Sequence, residues 1–176
     1  MGGPPAFAIR RAGPGDAAVL AELGPATFRE AFGAEFDSAF IDGRMAVIYG
    51  YGRLAEDLTD PRQAWFLAEG GGRALGFLAL AEGAAPGCVV EPAPLELSRL
   101  YVRLAWQGKG PAFALMEAAF GEAGARKAGS IWLQAWEKNP RALAFYKAHG
   151  FRRAGQTLVA FGGRELPHLV LVRRMP

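Results

Sequence analysis

Apolar and polar positions alternate over residues 6–12, the two-residue period of a strand, and Pro14-Gly15-Asp16 then breaks the pattern with Asp16 placed to cap a helix. Val19, Leu20, Leu23, Phe28 and Phe32 recur at roughly helical spacing, which predicts a helix to residue 32, kinked or split at Gly24-Pro25. A second helical stretch is predicted over residues 40–58, weakened by Gly43, Gly50 and Gly52. Residues 65–69 and 73–81 are β-rich runs joined by Gly70-Gly71-Gly72, a hairpin signal, and a Gly/Pro-rich loop follows. Residues 95–102 alternate as a strand, with Glu96, Ser98, Leu100 and Val102 facing one way and Leu95, Leu97, Arg99 and Tyr101 the other. Over residues 111–127 the period becomes helical, with Phe113, Met116, Phe120 and Ala123 on one face and Leu115 and Ala119 beside it. Residues 130–136 form the next strand. Asn139-Pro140 opens a further helix, with Asn139 as its cap and Pro140 at the first helical position, and Gly150 ends it in a left-handed conformation. Residues 151–161 and 166–174, separated by Gly162-Gly163, give a final hairpin. The order is β, α, α, β, β, β, α, β, α, β, β, with no internal repeat or linker, and it predicts one domain over residues 1–176.

Composition agrees with a single core: 176 residues at 51% hydrophobic lie within the size range of one domain. Met1-Gly2-Gly3-Pro4-Pro5-Ala6 lacks a basic start with an apolar stretch behind it, and Ala6 stands where myristoylation would want Ser or Thr, so no export signal or lipid anchor is expected. The apolar runs at 65–68 and 76–81 fall far short of the roughly 20 residues of a membrane-spanning helix. One cysteine, Cys88, allows no internal disulfide and fits a cytoplasmic protein; it reads as an ordinary loop thiol. The net charge of +3 is small and its basic residues are dispersed, so neither nucleic acid nor a membrane is expected as a partner.

The chemistry concentrates between the strand at 95–102 and the helix at 111–127. A turn entering a helix presents backbone N–H groups that have no partner inside the helix, and the helix dipole adds positive potential there. In Gln107-Gly108-Lys109-Gly110-Pro111-Ala112 the glycines remove side-chain bulk and Lys109 adds a cation, which suits phosphate. A Walker loop is excluded because Lys109 is followed by Gly110 instead of Ser or Thr, and a dinucleotide fingerprint is excluded because Phe113 stands where its third glycine belongs.

Gln107-x-x-Gly110-x-Ala112, following Leu97-Ser98-Arg99-Leu100-Tyr101-Val102, resembles the Q/R-x-x-G-x-G/A acetyl-CoA motif of GNAT N-acetyltransferases. The resemblance continues through the segment from Trp132 to Ala142 and through Phe145-Tyr146-Lys147-Ala148-His149-Gly150-Phe151, which look like the family's later strand and its N-x-x-A-x-x-F-Y-x-x-x-G-F helix. It implies an α/β fold with a mostly antiparallel mixed sheet of seven strands, the fourth and fifth parallel and splayed, flanked by four helices. It also implies that the backbone of Leu100, Tyr101 and Val102 pairs with the pantetheine arm. Gln107 and the N–H groups of Gly108, Lys109, Gly110, Ala112 and Phe113 would then receive the pyrophosphate, with Asn139 and Phe145 also at the cofactor. Pro111 departs from the pattern, since it has no N–H to offer.

By the same resemblance Tyr146 matches the tyrosine that protonates the departing thiolate. Glu96 is placed either to take the amine proton, directly or through water, or as an exposed strand residue. Phe28, Phe32 and Trp136 would line the acceptor pocket. His149 is expected at its helix C-terminus, and His168 to face either the pocket or solvent. Glu96-Leu-Ser-Arg-Leu-Tyr-Val102 with Trp136-Glu-Lys-Asn139 looks similar to the bacterial spermidine/spermine N-acetyltransferase group, which implies a polyamine acceptor. Glu30, Glu35, Asp37, Asp42, Glu56 and Asp57 are the carboxylates that would hold it. Acetyl-CoA is the expected co-substrate, a small-molecule amine the partner, a homodimer the candidate assembly, and no metal is expected. The alternatives are acetylation of a protein N-terminus or lysine, a catalytically silent acetyl-CoA sensor, and an interaction protein with a coincidental glycine turn.

Overall fold

The structure, a computed structural model, describes residues 7–176. The segment from Met1 to Ala6, on which the absence of an export signal and the first residue of the opening strand were read, lies outside the described residues. The elements are β1 (Ala8–Arg11), α1 (Ala17–Phe32), α2 (Ser38–Ile48), α3 (Tyr51–Thr59), β2 (Gln63–Gly70), β3 (Arg73–Glu82), β4 (Pro94–Val102), α4 (Pro111–Ala125), β5 (Ser130–Trp136), α5 (Pro140–Ala148), β6 (Arg152–Phe161) and β7 (Arg164–Arg174). Short 3-10 turns occur at Pro14–Asp16 and Leu104–Trp106. The seven strands form one sheet in the order β1-β2-β3-β4-β5-β7-β6. β4 and β5 are parallel, whereas β1–β2, β5–β7 and β6–β7 are antiparallel. This is the mixed sheet expected from the sequence. No described helix is long and apolar enough to cross a membrane.

Both glycine-pair hairpins form as read, with Gly71 and Gly72 at φ 58° and 72° and Gly162 and Gly163 at 62° and 69°. Left-handed pairs of this kind match the twist of antiparallel strands. Asn139 caps α5 by accepting from the Ala142 N–H at 3.2 Å.

Three local expectations need correction. The predicted stretch 40–58 is two helices, broken at Tyr49-Gly50, because Tyr49 leaves the helix to bury its ring against α1. α1 is not split at Gly24-Pro25: buried Leu20, Leu23, Thr27 and Phe28 anchor it on both sides of the proline and outweigh the missing hydrogen bond. Asp16 does not cap α1 with its side chain. Its carboxylate accepts from the Gly13 N–H at 2.8 Å and from Arg10 at 2.7 and 2.8 Å. The Arg10 guanidinium, which also holds Glu69, keeps the Asp16 carboxyl below the usual carboxylate range.

The chain divides into two compact units. The first takes residues up to Leu80 together with Arg99–Ala119. Phe77 is its aromatic centre, with ring centroids 5.7 Å from Tyr101, 5.9 Å from Tyr49 and 6.2 Å from Trp65. A Cβ built on Gly24 would lie 2.4 Å from the Tyr49 ring, so α1 depends on a glycine to accept that ring. Gly24→Ala should therefore destabilise the protein by about 1 to 3 kcal/mol, since overpacking exceeds the roughly 1 kcal/mol gained in helix propensity. A urea midpoint that falls at unchanged m value is the expected reading; a midpoint that rises would mean Tyr49 does not pack there in solution.

The second unit takes Ala81–Ser98 and Phe120–Pro176. Trp132, Val170 and Val172 form a core cluster covered by Ala85, Cys88, Val89 and Ala154. Cys88 thus packs as the loop thiol the sequence suggested. Glu91 is buried between Arg152 and Arg174, which both bond its Oε1.

Candidate active site

In the first unit, β4 leads through the turn at Leu104–Trp106 into a four-residue segment that ends at the start of α4. The entrance to this loop is fixed. Arg103 N–H donates to the Leu75 carbonyl at 2.8 Å, and Glu30 of α1 accepts from the Leu104 N–H at 2.7 Å and pairs with Arg103 at 2.9 Å. The Gln107 side chain donates to the Val102 carbonyl at 3.2 Å, which ties the loop back to its own strand. Gln107 N–H and Lys109 N–H turn inward to the carbonyls of Leu104 and Trp106, each at 3.2 Å. The N–H groups of Gly108, Gly110 and Ala112 have no backbone partner in the described residues, and the first α4 bond begins at Ala114. These three are the open donors. Lys109, expected as a fourth, has its N–H engaged, and Pro111 is buried at the first helical position with no N–H to lose.

Gly110 carries the strained step of the loop. Its φ is 104°, a conformation that L side chains rarely adopt, and a Cβ there would meet the Phe7 ring at 3.3 Å. Gly108, at φ 76°, faces open space. The Lys109 ammonium lies 5.9 Å from the Trp106 ring centroid, held along the loop by a cation–π contact. Phe113 is 58% exposed on the first turn of α4.

The face of β4 that carries Arg99 and Tyr101 meets aromatic side chains of α1, α2's C-terminus, β2 and β3. Phe28 and Phe32 pack at a tilt with ring centroids 4.8 Å apart, and Phe28 reaches Tyr101 at 6.2 Å. The Arg99 guanidinium lies 5.5 Å from the Tyr49 ring and 5.7 Å from that of Trp65. Burial pushes the Tyr49 and Tyr101 phenols well up, so both stay neutral at ordinary pH. Arg99, Tyr49 and Trp65 were not picked out from the sequence as site residues. The available signal was a charged residue on the otherwise apolar Leu95, Leu97, Tyr101 side of the strand.

In the second unit, registered β4–β5 pairing runs from Pro94↔Ser130 to Glu96↔Trp132 and stops, although β5 continues to Trp136. Glu96 is half-buried at that last paired position. Trp136 sits at the end of β5 opposite His168 of β7. His168 Nδ1 is 3.0 Å from the Leu166 carbonyl. Tyr146 is buried on α5, its ring 5.6 Å from Phe145 and 5.7 Å from Phe151. His149 serves the C-terminus of α5 as expected, with Nδ1 2.8 Å from the Phe145 carbonyl.

The carboxylates considered for a polycation are largely committed elsewhere. Asp42 pairs with Arg29 at 2.6 Å, Asp57 with Arg53 at 3.1 Å, and Glu30 with Arg103, while Asp37 caps α2 through the Phe40 N–H. Glu35 and Glu56 are exposed.

Comparison with known proteins gives a consistent picture. The model of the Acetyltransferase (GNAT) family matches residues 26–151. An uncharacterised N-acetyltransferase of Mycobacterium tuberculosis is 33% identical over 159 residues, covering 90% of this chain and 95% of its own length. One from Lactobacillus delbrueckii subsp. lactis is 25% identical over 136 residues, covering 77% and 79%. Among solved structures, the PaiA N-acetyltransferase of Thermoplasma acidophilum, crystallised with coenzyme A, superposes with a TM-score of 0.77 over 96% of this chain and 98% of its own, at 16% identity.

Proposed function

The chain belongs to the GNAT acetyltransferase family, and from that premise we propose that it moves the acetyl group of acetyl-CoA to a primary amine of a small molecule, by direct attack in a ternary complex. The observation that carries the reading is the set of three open N–H donors, Gly108, Gly110 and Ala112, at the positive end of a fifteen-residue helix. A pyrophosphate is the ligand chemistry such a cradle suits. Residues 1–176 are taken as one acetyltransferase domain, acting in the cytoplasm, with a homodimer as the candidate assembly.

In the proposed reaction Gly108, Gly110, Ala112 and Phe113 hold the pyrophosphate end, while Gln107 ties the loop back to β4. The backbone of Leu100 and Tyr101 pairs with the pantetheine amides, helped by Asn139 and Phe145. An alkylamine with a pKa near 10.4 must shed a proton before it attacks, and Glu96 takes it directly or through water. The amine nitrogen bonds to the thioester carbonyl carbon, the carbon–sulfur bond breaks, and the Tyr146 phenol gives its proton to the departing sulfur. Phe28, Phe32 and Trp136 wall the acceptor. The products are the amide and coenzyme A thiol.

The test is amine-dependent release of coenzyme A thiol over a panel of spermidine, amino acids, simple alkylamines, an aminoglycoside and a peptide with a free N-terminus. Release with a small amine, well above the rate of acetyl-CoA hydrolysis, is expected. Coenzyme A binding without release on any amine would make the chain a sensor, and no binding at millimolar coenzyme A would reject the reading altogether. The branch resemblance favours spermidine; the arginine pairing of Asp42, Asp57 and Glu30 argues against a polycation pocket built from these groups.

A further inference from the structure

Most arginines whose contacts are described meet a carboxylate: Arg10, Arg29, Arg53, Arg62, Arg103, Arg126, Arg152 and Arg174 all do. Arg99 does not, although it is more enclosed than most. It is half-buried, its Nε is buried with no hydrogen-bond partner, and its guanidinium is flanked by the rings of Tyr49 and Trp65. Neither phenol nearby supplies negative charge, because burial keeps both Tyr49 and Tyr101 protonated. A guanidinium withdrawn from water without a counter-ion is costly to hold, and two aromatic faces offset only part of that cost. An arginine also offers a planar fork of donors that matches a carboxylate in two places at once.

We propose that Arg99, set between Tyr49 and Trp65, binds the carboxylate of the acceptor, so that the amine acetylated belongs to an amino acid or a similar amino carboxylate. The inference rests on the acetyltransferase reading and narrows its substrate class. Phe28 and Tyr101, whose rings meet at 6.2 Å on the face of β4 that Arg99 shares, suit an amino acid with an apolar side chain. Arg99 is a specificity residue here: it touches the part of the acceptor that does not react.

The experiment pairs each amino acid with the amine it would give on decarboxylation, for example L-phenylalanine with phenethylamine and L-leucine with isopentylamine. Two readouts are taken on the full chain with saturating coenzyme A or acetyl-CoA: kcat/KM for thiol release, and the ligand-induced rise in melting temperature, which needs no turnover. The wild type should favour the amino acid of a pair by about 10- to 100-fold, the range of a charge-assisted hydrogen bond. Arg99→Met should remove that preference by raising KM for the amino acid, leaving the decarboxylated amine unchanged. Arg99→Lys should keep part of it. A purely structural Arg99 would weaken both members of a pair alike.

Equal rates and equal stabilisation for both members, or a ratio unmoved in Arg99→Met with its coenzyme A affinity intact, would overturn the inference while leaving an acetyltransferase. If no amine releases thiol, the enzyme reading fails, and the melting readout still decides whether a carboxylate binds at Arg99. Should Arg99→Met not fold, Arg99→Lys and Tyr49→Phe are measured in the same pairs.

Discussion

Gly110→Val is expected to raise the dissociation constant for acetyl-CoA by about 10²-fold or more, because one substitution disturbs several backbone donors together. A β-branched residue at φ 104° is strained by roughly 1 to 3 kcal/mol, and its Cβ would press on the Phe7 ring. The chain would relieve that strain by rotating the peptide units on either side of position 110. The N–H groups of Gly108, Gly110 and Ala112 would then point elsewhere, each withdrawing a charge-assisted bond of about 1.5 to 3 kcal/mol. Lys109→Ala makes the informative contrast. Lys109 is exposed and its ammonium already rests against Trp106, so losing it should cost less than about tenfold in affinity. Titration calorimetry on the two variants, alongside melting curves that show each still folded, separates the cases. A severe loss in Lys109→Ala with binding intact in Gly110→Val would shift recognition from the backbone to the side chain, and the proposed cradle would be wrong.

How much of this was legible in the sequence depends on whether local chemistry or distant packing decided each feature. The α5 cap at Asn139-Pro140, the two glycine-pair hairpins and the switch from strand to helix between Val102 and Pro111 are set by residues adjacent in the chain, and each formed as read. The break at Tyr49 is different. Gly43, Gly50 and Gly52 weaken the helix without fixing where it ends, and the break falls at Tyr49 because its ring must reach Gly24, twenty-five positions earlier in sequence. Asp16 was a sound cap by its own rules, yet Arg10 and the Gly13 amide compete for the same carboxylate. Local propensity is worth a few tenths to about 1 kcal/mol per residue, less than one well-packed buried aromatic, so tertiary contacts win such contests.

The site divides along the same line. The phosphate loop is a short-range device, and its glycines announce it. That the Lys109 N–H is spent on Trp106, and that Glu30 holds the loop entrance where a polyamine contact was expected, follow only from the folded positions. Arg99 makes the point more sharply. A strand pattern can show an arginine on an apolar face, but it takes the folded chain to reveal which carboxylates have found other partners.

Tyr146→Phe should lower kcat by about 10²-fold with the fold and cofactor affinity preserved, because it removes the proton donor and keeps the ring. The ring of Tyr146 is buried against Phe145 and Phe151, and phenylalanine keeps those contacts. General acid catalysis is typically worth about 10² to 10⁴ in rate. The loss should fall near the bottom of that range, since a thiol with a pKa near 8.5 leaves tolerably well as its anion. In a complex with coenzyme A the phenol oxygen should lie about 3 to 3.5 Å from the sulfur, the reach a proton donor needs. Single-turnover measurements are the proper readout, because slow product release would hide a change in the chemical step. An unchanged rate of chemistry in Tyr146→Phe would leave Tyr146 as a packed residue of α5. A raised dissociation constant for acetyl-CoA at unchanged kcat would instead assign it to cofactor binding.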